Sequence, residues 1–318
     1  MGVTPESAVD AMQERFGRHA GYRALHAKGT VCRGTFTGSP AASGLTTAAI
    51  MQGEPVAATV RFSNGTGDPG RPDYASDLRG MAVKLDGPDG KLDISAQTAP
   101  HFPVRDAAGF VELVQASAPG PASLLRLPWF LARHPRAALA LPANAPALKP
   151  PASYATCRYH AVHAYRWVDA EGRGRFVRYR WLPAAGVHTL SPRAAKARGR
   201  DYLRDELVER LGRAPIRFEL ELRVAGAGDP TDDPSATWPD DRERVVAGTL
   251  EVTGLDDTRE RNGDVLVFDP TRVVPGIELS DDPVLRFRTH AYSASIERRT
   301  GVPRGAEAPD VPRPGGSA

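Results

Sequence analysis

The 318-residue chain is poor in the features that mark several protein classes, and each shortage narrows the reading. It has two cysteines, Cys32 and Cys157, far apart in sequence. Two distant thiols make neither a disulfide framework nor a zinc site, and no CxxCH run exists for covalent haem attachment. Both cysteines therefore read as buried, idle thiols in a reducing compartment. Aromatic residues make up only 7% of the chain, and no Lys/Arg run is interleaved with them, which argues against a nucleic-acid partner. No stretch approaches 18 uninterrupted apolar residues. The richest region, Leu124–Leu141, is broken by Pro128, Pro135 and arginines, so no membrane span is expected. The opening MGVTPESAVDAMQERF lacks the apolar core of a signal peptide, and a cytoplasmic protein is expected.

The remaining composition is that of a globular protein, with 41% hydrophobic and 25% charged residues. Net charge is only +3, with Arg far commoner than Lys, and surplus Arg suits an anionic ligand. Thirty-one glycines and 29 prolines imply many turns.

Thr4 and Pro5 begin a short helix with Val9, Met12 and Phe16 on one face. Strands are expected at Thr30–Thr37, Ala57–Phe62 and Met81–Leu85, followed by helical patterns from Asp106, over Leu124–Arg133 and over Arg136–Leu141. Pro142–Pro151 is too proline-rich for regular structure. Tyr159–Val168 and Arg175–Trp181 read as a hairpin, and Asp201–Leu211 as a helix. Ile216–Val224 alternates most clearly, and Val245–Leu255 is a further strand. A last helix starts near Pro283 and runs toward Arg299. The predicted class is α+β around an antiparallel barrel or sheet, one domain over 1–304 with a loose Pro/Gly-rich tail at 305–318.

Three segments carry chemistry-bearing side chains: Arg23-Ala-Leu-His26, Arg61-Phe-Ser63, and Asp282 through Tyr292 followed by Arg298-Arg299. Arg288 and Tyr292 are four apart, which places them on one helix face. Alone, each feature is ordinary: a histidine before a strand is usually structural, and Arg–Tyr pairs often pack on helix surfaces.

Together they resemble the catalase superfamily. The matching segments are RALHAKG (23–29), RFSNGTGDPG (61–70), DLRGMAVKL (77–85), LDISAQTAPHFPVRD (92–106), YHAVHAYRW (159–167) and PGIELSDDPVLRFRTHAY (275–292), in the family's order. The resemblance implies a catalase-type barrel with haem b buried between barrel and C-terminal helix. It makes Tyr292 the iron ligand, with Arg288 supporting the phenolate and His163 and Asp282 holding Arg288. A free phenol has a pKa of about 10, so a cationic neighbour is needed to favour its ionised form. On the opposite face His26 would move the peroxide proton, Ser63 would fix its tautomer, and Gln97 stands where the family usually carries asparagine. Arg23, Arg61 and Arg299 match positions that pair with haem propionates, and Phe110 one that packs on the haem face.

Only 25 residues precede His26 and 26 follow Tyr292, so the chain resembles the small catalase-related peroxidases. That likeness implies reduction of organic hydroperoxides and hydrogen peroxide by an electron donor, with weak or no catalase activity, in a homo-oligomer, a dimer being expected. Two alternatives share the scaffold: a fatty-acid hydroperoxide dehydratase or isomerase, and a non-catalytic haem-binding protein.

Overall fold

The computed structural model describes residues 2–118, 120–260, 264–300 and 302; the expected tail at 305–318 lies outside them. In chain order the elements are α1 (Pro5–Phe16), β1 (Gly29–Gly38), α2 (Pro40–Ser43), β2 (Val56–Asn64), β3 (Arg79–Gly87) and β4 (Gly90–Gln97). Then come α3 (Ala107–Ala116), α4 (Ser123–Arg133), α5 (Pro135–Ala143), β5 (Tyr159–His160), β6 (Tyr165–Val168) and β7 (Gly174–Pro183). The chain continues through α6 (Pro192–Ala197), α7 (Tyr202–Leu211), β8 (Ile216–Val224), β9 (Arg244–Leu255), β10 (Ile277–Leu279) and α8 (Pro283–Glu297).

Strands pair in the order β7-β5-β4-β3-β2-β1-β9-β8, and β8 pairs back onto β7. The result is a closed antiparallel barrel of eight strands, with β6 and β10 extending from β7. Closure removes the exposed edges that an open sheet would present. Alternation explains why it closes. In β8, Ile216, Phe218, Leu220, Leu222 and Val224 are buried, while Arg217 and Glu219 face solvent. The barrel interior gathers Phe36, Phe62, Tyr159, Trp181 and Phe218. Phe218 lies with its ring centroid 6.0 Å from that of Phe62 and 6.1 Å from that of Tyr159, and it is fully buried. Phe218→Ala is therefore expected to cost about 3–5 kcal/mol, read as a lower urea midpoint with an unchanged slope.

Three expectations need correction. Tyr159–Val168 is two strands, because residues 161–164 leave the sheet between β5 and β6. β4 went unread as a strand; it is joined to β3 by a tight turn whose Gly90 has φ +136°. Within Pro142–Pro151, α5 extends to Ala143 with Pro142 in its last turn, and a 3₁₀ turn covers Ala145–Leu148 with Pro146 in its first turn, where proline is tolerated.

The helices that matter for the site begin with strong caps. Thr4 and Ser7 form a reciprocal capping box at α1, with Ser7 N–H donating to Thr4 Oγ1 at 3.2 Å and Thr4 N–H to Ser7 Oγ at 2.9 Å. Asp282 caps α8, accepting from Val284 N–H at 2.8 Å and Leu285 N–H at 3.1 Å, with Pro283 in the first turn. α8 packs chiefly on α1 and α3 rather than flat against the barrel strands. That arrangement leaves α8 standing off the outer barrel wall, with a space between them across which Arg288 acts on His26 and Tyr292 on Arg23.

Candidate active site

In β2, Phe62 points into the barrel core, so Arg61 and Ser63 point outward, toward α8. Ser63 is directly opposite Gly29 of β1 and Gly80 of β3, and Gly80 is opposite Gln97 of β4, which is opposite His160 of β5. Residues paired this way share a face, so Gly29, Ser63, Gly80, Gln97 and His160 form one row across the outer wall. The next row brings Val31, Arg61 and Ala82 together. Gly29, Ser63, Gly80 and Ala82 keep bulky side chains off the middle of this wall.

His26 lies over that wall. Its backbone is in the left-handed region, φ 55°, uncommon for a side chain larger than glycine. The conformation is held by a bond from its N–H to Gly65 O at 3.1 Å. Its Nδ1 is 3.0 Å from Ser63 Oγ. A Cβ on Gly80 would stand 2.6 Å from that nitrogen and 2.7 Å from Ser63 Oγ, so the ring's seat requires glycine there. Burial first, then the positive charges of Arg61, Arg288 and Arg23, push the imidazole pKa down to about 3. His26 is therefore uncharged at neutral pH.

Across the space, a relay of four residues runs from α8 and its cap Asp282 through His163, which lies between β5 and β6. Tyr292 Oη accepts from Arg288 Nε at 3.1 Å and from a second guanidinium nitrogen. Another Arg288 nitrogen is 3.0 Å from His163 Nε2. His163 Nδ1 lies 2.6 Å from Asp282 Oδ2. Arginine can only donate, so Nε2 accepts and Nδ1 carries the proton given to Asp282. The break between β5 and β6 is what turns His163 toward α8. Burial lowers the His163 pKa against the opposing bond from Asp282. Burial acts against the charged form of Arg288 as well. Attraction to Tyr292, its hydrogen bond, and the charges of Tyr165 and Asp269 together outweigh that burial, and the Arg288 pKa rises.

The third cluster is cationic. Arg23, Arg61 and Arg299 converge at one edge of the space, around the carboxylate of Glu260. A Cβ on Gly29 would come within 2.5 Å of the Arg61 guanidinium carbon, so this edge also depends on a missing side chain. Phe110 stacks on Phe102 with ring centroids 6.0 Å apart, and Phe102 in turn lies 6.4 Å from the His163 ring.

All eleven residues singled out from sequence thus fall on the outer wall, on α8 or on the elements linking them. Four further participants were missed: Gly80, Phe102, His160 and Glu260. Only Gly80 had a legible signal, a glycine inside a strand, which often marks close approach of another group.

Haem fits these residues. His26 and Arg288 lie deep in the fold yet keep accessible surface, as side chains lining an internal space do. A wall with small residues at its middle, a three-arginine edge for carboxylates and one phenol oxygen match a planar, dianionic macrocycle whose iron needs a single protein ligand. Among the described residues, no group of three or more His, Cys, Asp and Glu side chains gathers to hold a bare metal ion. Cys32 and Cys157 are free and buried, burial raising both thiols to about 12, so neither is a thiolate ligand at neutral pH. Among these residues no helix is long and apolar enough to cross a membrane.

Comparison with known proteins identifies the family. A catalase-related peroxidase of Mycolicibacterium paratuberculosis (strain ATCC BAA-968 / K-10) is 49% identical over 311 residues, covering 98% of this chain and 99% of that protein. A catalase-related peroxidase of Synechococcus elongatus is 30% identical, covering 94% and 89%. Catalase-2 of Bacillus subtilis is also 30% identical, covering 90% of this chain but 45% of its own length. A fungal catalase crystal structure superposes with a TM-score of 0.77 at 22% identity, covering 89% of this chain and 60% of that one, and so supports the fold. The protein-family model described as Catalase matches residues 8–306, and the chain belongs to the catalase family, whose cofactor is haem.

Proposed function

We propose that the protein is a haem b-dependent peroxidase that reduces organic hydroperoxides and hydrogen peroxide with an electron donor and has little catalase activity. Membership of the catalase family makes it an oxidoreductase acting on peroxide. The pairing of an uncharged His26 on one wall with the Tyr292–Arg288–His163–Asp282 relay on the other supports peroxide chemistry. The observation that carries the peroxidase reading is the near-full-length likeness to two catalase-related peroxidases. Haem b rather than covalent haem is supported by the absent CxxCH run and by the three-arginine edge. The reading takes residues 1–304 as one haem-binding domain, supported by the closed barrel and by α1 packing on α8.

Haem, when bound, supplies the iron centre at which the O–O bond breaks. Tyr292 would bind the iron as phenolate. Arg288, anchored through His163 and Asp282, supplies the opposite charge that favours this form. With Nδ1 occupied by Ser63, His26 Nε2 is the nitrogen available to substrate. It takes the proton from one peroxide oxygen and returns it to the departing one, which leaves as alcohol or water. Gln97, in the same row as Ser63 and Gly80, would hold the peroxide through its amide, a role its register supports. Overall the hydroperoxide takes two electrons from the donor and two protons, giving ROH and water.

Steady-state assays of haem-loaded protein with an alkyl hydroperoxide and with hydrogen peroxide test this. Consumption should require a donor and oxidise two electron equivalents of it per peroxide, with little dioxygen released. Rearrangement of a lipid hydroperoxide without donor oxidation, or no consumption at all, would contradict it.

The steric seat of His26 gives a separate expectation. Gly80→Ala places a methyl group against His26 Nδ1 and Ser63 Oγ, so the ring must move. Peroxide turnover should fall by about 10²-fold, as misplaced catalytic groups generally cause. The far-UV circular dichroism should stay unchanged, and Gly80→Ser should show no recovery.

A further inference from the structure

Glu260 sits where the three edge arginines meet, in the loop after β9. It is only 3% exposed. Its backbone is in the left-handed region, φ 55°, with its N–H bonded to Asp264 Oδ2 at 3.0 Å. One carboxylate oxygen accepts from Arg23 Nε at 2.9 Å, and the other from Arg61 Nε at 2.7 Å. Arg299 approaches the first oxygen at 3.8 Å. The guanidinium groups of Arg23 and Arg299 also donate to Leu266 O. The same nitrogens that would receive haem propionates are thus engaged by a carboxylate of the chain itself.

Three guanidinium groups gathered in a buried edge repel one another, and an uncompensated buried charge is strongly unfavourable. Burial first, then repulsion from Arg61, lowers the Arg23 pKa, and Glu260 opposes both. A carboxylate within the cluster therefore keeps the arginines assembled. The same carboxylate would repel an incoming propionate and compete for its donors.

We infer that Glu260 is a built-in stand-in for a haem propionate, an internal counter-ion that holds the arginine edge ready and gives up its bonds when the cofactor enters. Haem uptake then exchanges one carboxylate for another and moves the 256–260 loop. The left-handed backbone at Glu260 favours that release, because leaving the site frees a conformation that side chains rarely adopt. This inference rests on the haem reading above.

The test uses full-length apoprotein, wild type and Glu260→Gln, titrated with haem and with haem dimethyl ester, which lacks free propionates. Glu260→Gln should bind haem about tenfold more tightly, since a competing charge-assisted contact is gone. Binding of the ester should be unchanged, and melting of the apoprotein, but not of the haem-loaded protein, should occur at a lower temperature. Equal or weaker haem binding by the variant overturns the inference alone. Wild-type protein that binds no haem overturns the haem reading and the inference with it. Hydrogen exchange of wild type provides a check that needs no variant: amides 256–260 should lose protection when haem binds, and unchanged or increased protection contradicts the exchange.

Discussion

Hydroperoxide turnover by His26→Ala is expected to fall by roughly 10²–10⁴-fold, the usual contribution of a positioned acid–base group. The expectation follows from the state in which the fold holds this ring. Burial and the charges of Arg61, Arg288 and Arg23 keep it uncharged, so it can accept a proton. Ser63 Oγ at 3.0 Å occupies one nitrogen and leaves the other for substrate. A left-handed backbone at φ 55° and the bond to Gly65 O fix where the ring stands. Removing it leaves the Tyr292 relay and the arginine edge in place, so haem affinity should change little. His26→Gln, of similar size but unable to relay a proton, should be nearly as slow as alanine. Stopped-flow mixing with hydroperoxide separates this step from donor oxidation. A loss smaller than about tenfold in His26→Ala would remove the ring from the proton transfer.

The second large effect is expected on the other wall. Tyr292→Phe deletes the oxygen at the end of the Asp282–His163–Arg288 relay and leaves the Arg288 guanidinium buried without its acceptor. Turnover should fall by more than about 10²-fold, beyond the 10–100-fold typical when a group behind a ligand is removed. Asp282→Asn supplies the comparison. It keeps an oxygen to cap α8 but weakens the bond that fixes the His163 tautomer. Its loss should stay within about 10–100-fold, and both variants should retain wild-type secondary structure. If Asp282→Asn were the more damaging of the two, the relay would not end on Tyr292.

Much of this architecture can be read from residue pattern, and the gaps have physical causes. Ile216–Val224 alternates because one face lines the barrel core and the other meets solvent. α8 could be placed from Asp282-Pro283, a cap followed by a first-turn proline, and its Arg288–Tyr292 pair from helical spacing. Apolar continuity across Tyr159–Val168 masked a break, since residues 161–164 stay buried while leaving the sheet. Assembly of the site was legible only through resemblance. Ser63 and Gln97 are 34 positions apart and share a face because β2, β3 and β4 pair in a register that no local pattern specifies. Glu260 was illegible for a different reason. Asp-Asp-Thr-Arg-Glu reads as a solvated charged loop, and its burial depends on arginines more than 190 positions earlier.

The central claim is that this chain binds one haem through Tyr292 between the barrel wall and α8. Titration of the apoprotein with haem, followed by absorption and electron paramagnetic resonance spectra of wild type and Tyr292→Phe, tests it most directly. The account predicts saturation at one haem per chain and a high-spin ferric tyrosinate spectrum that collapses in the variant. Failure to bind haem, or a spectrum identical in both proteins, would contradict it.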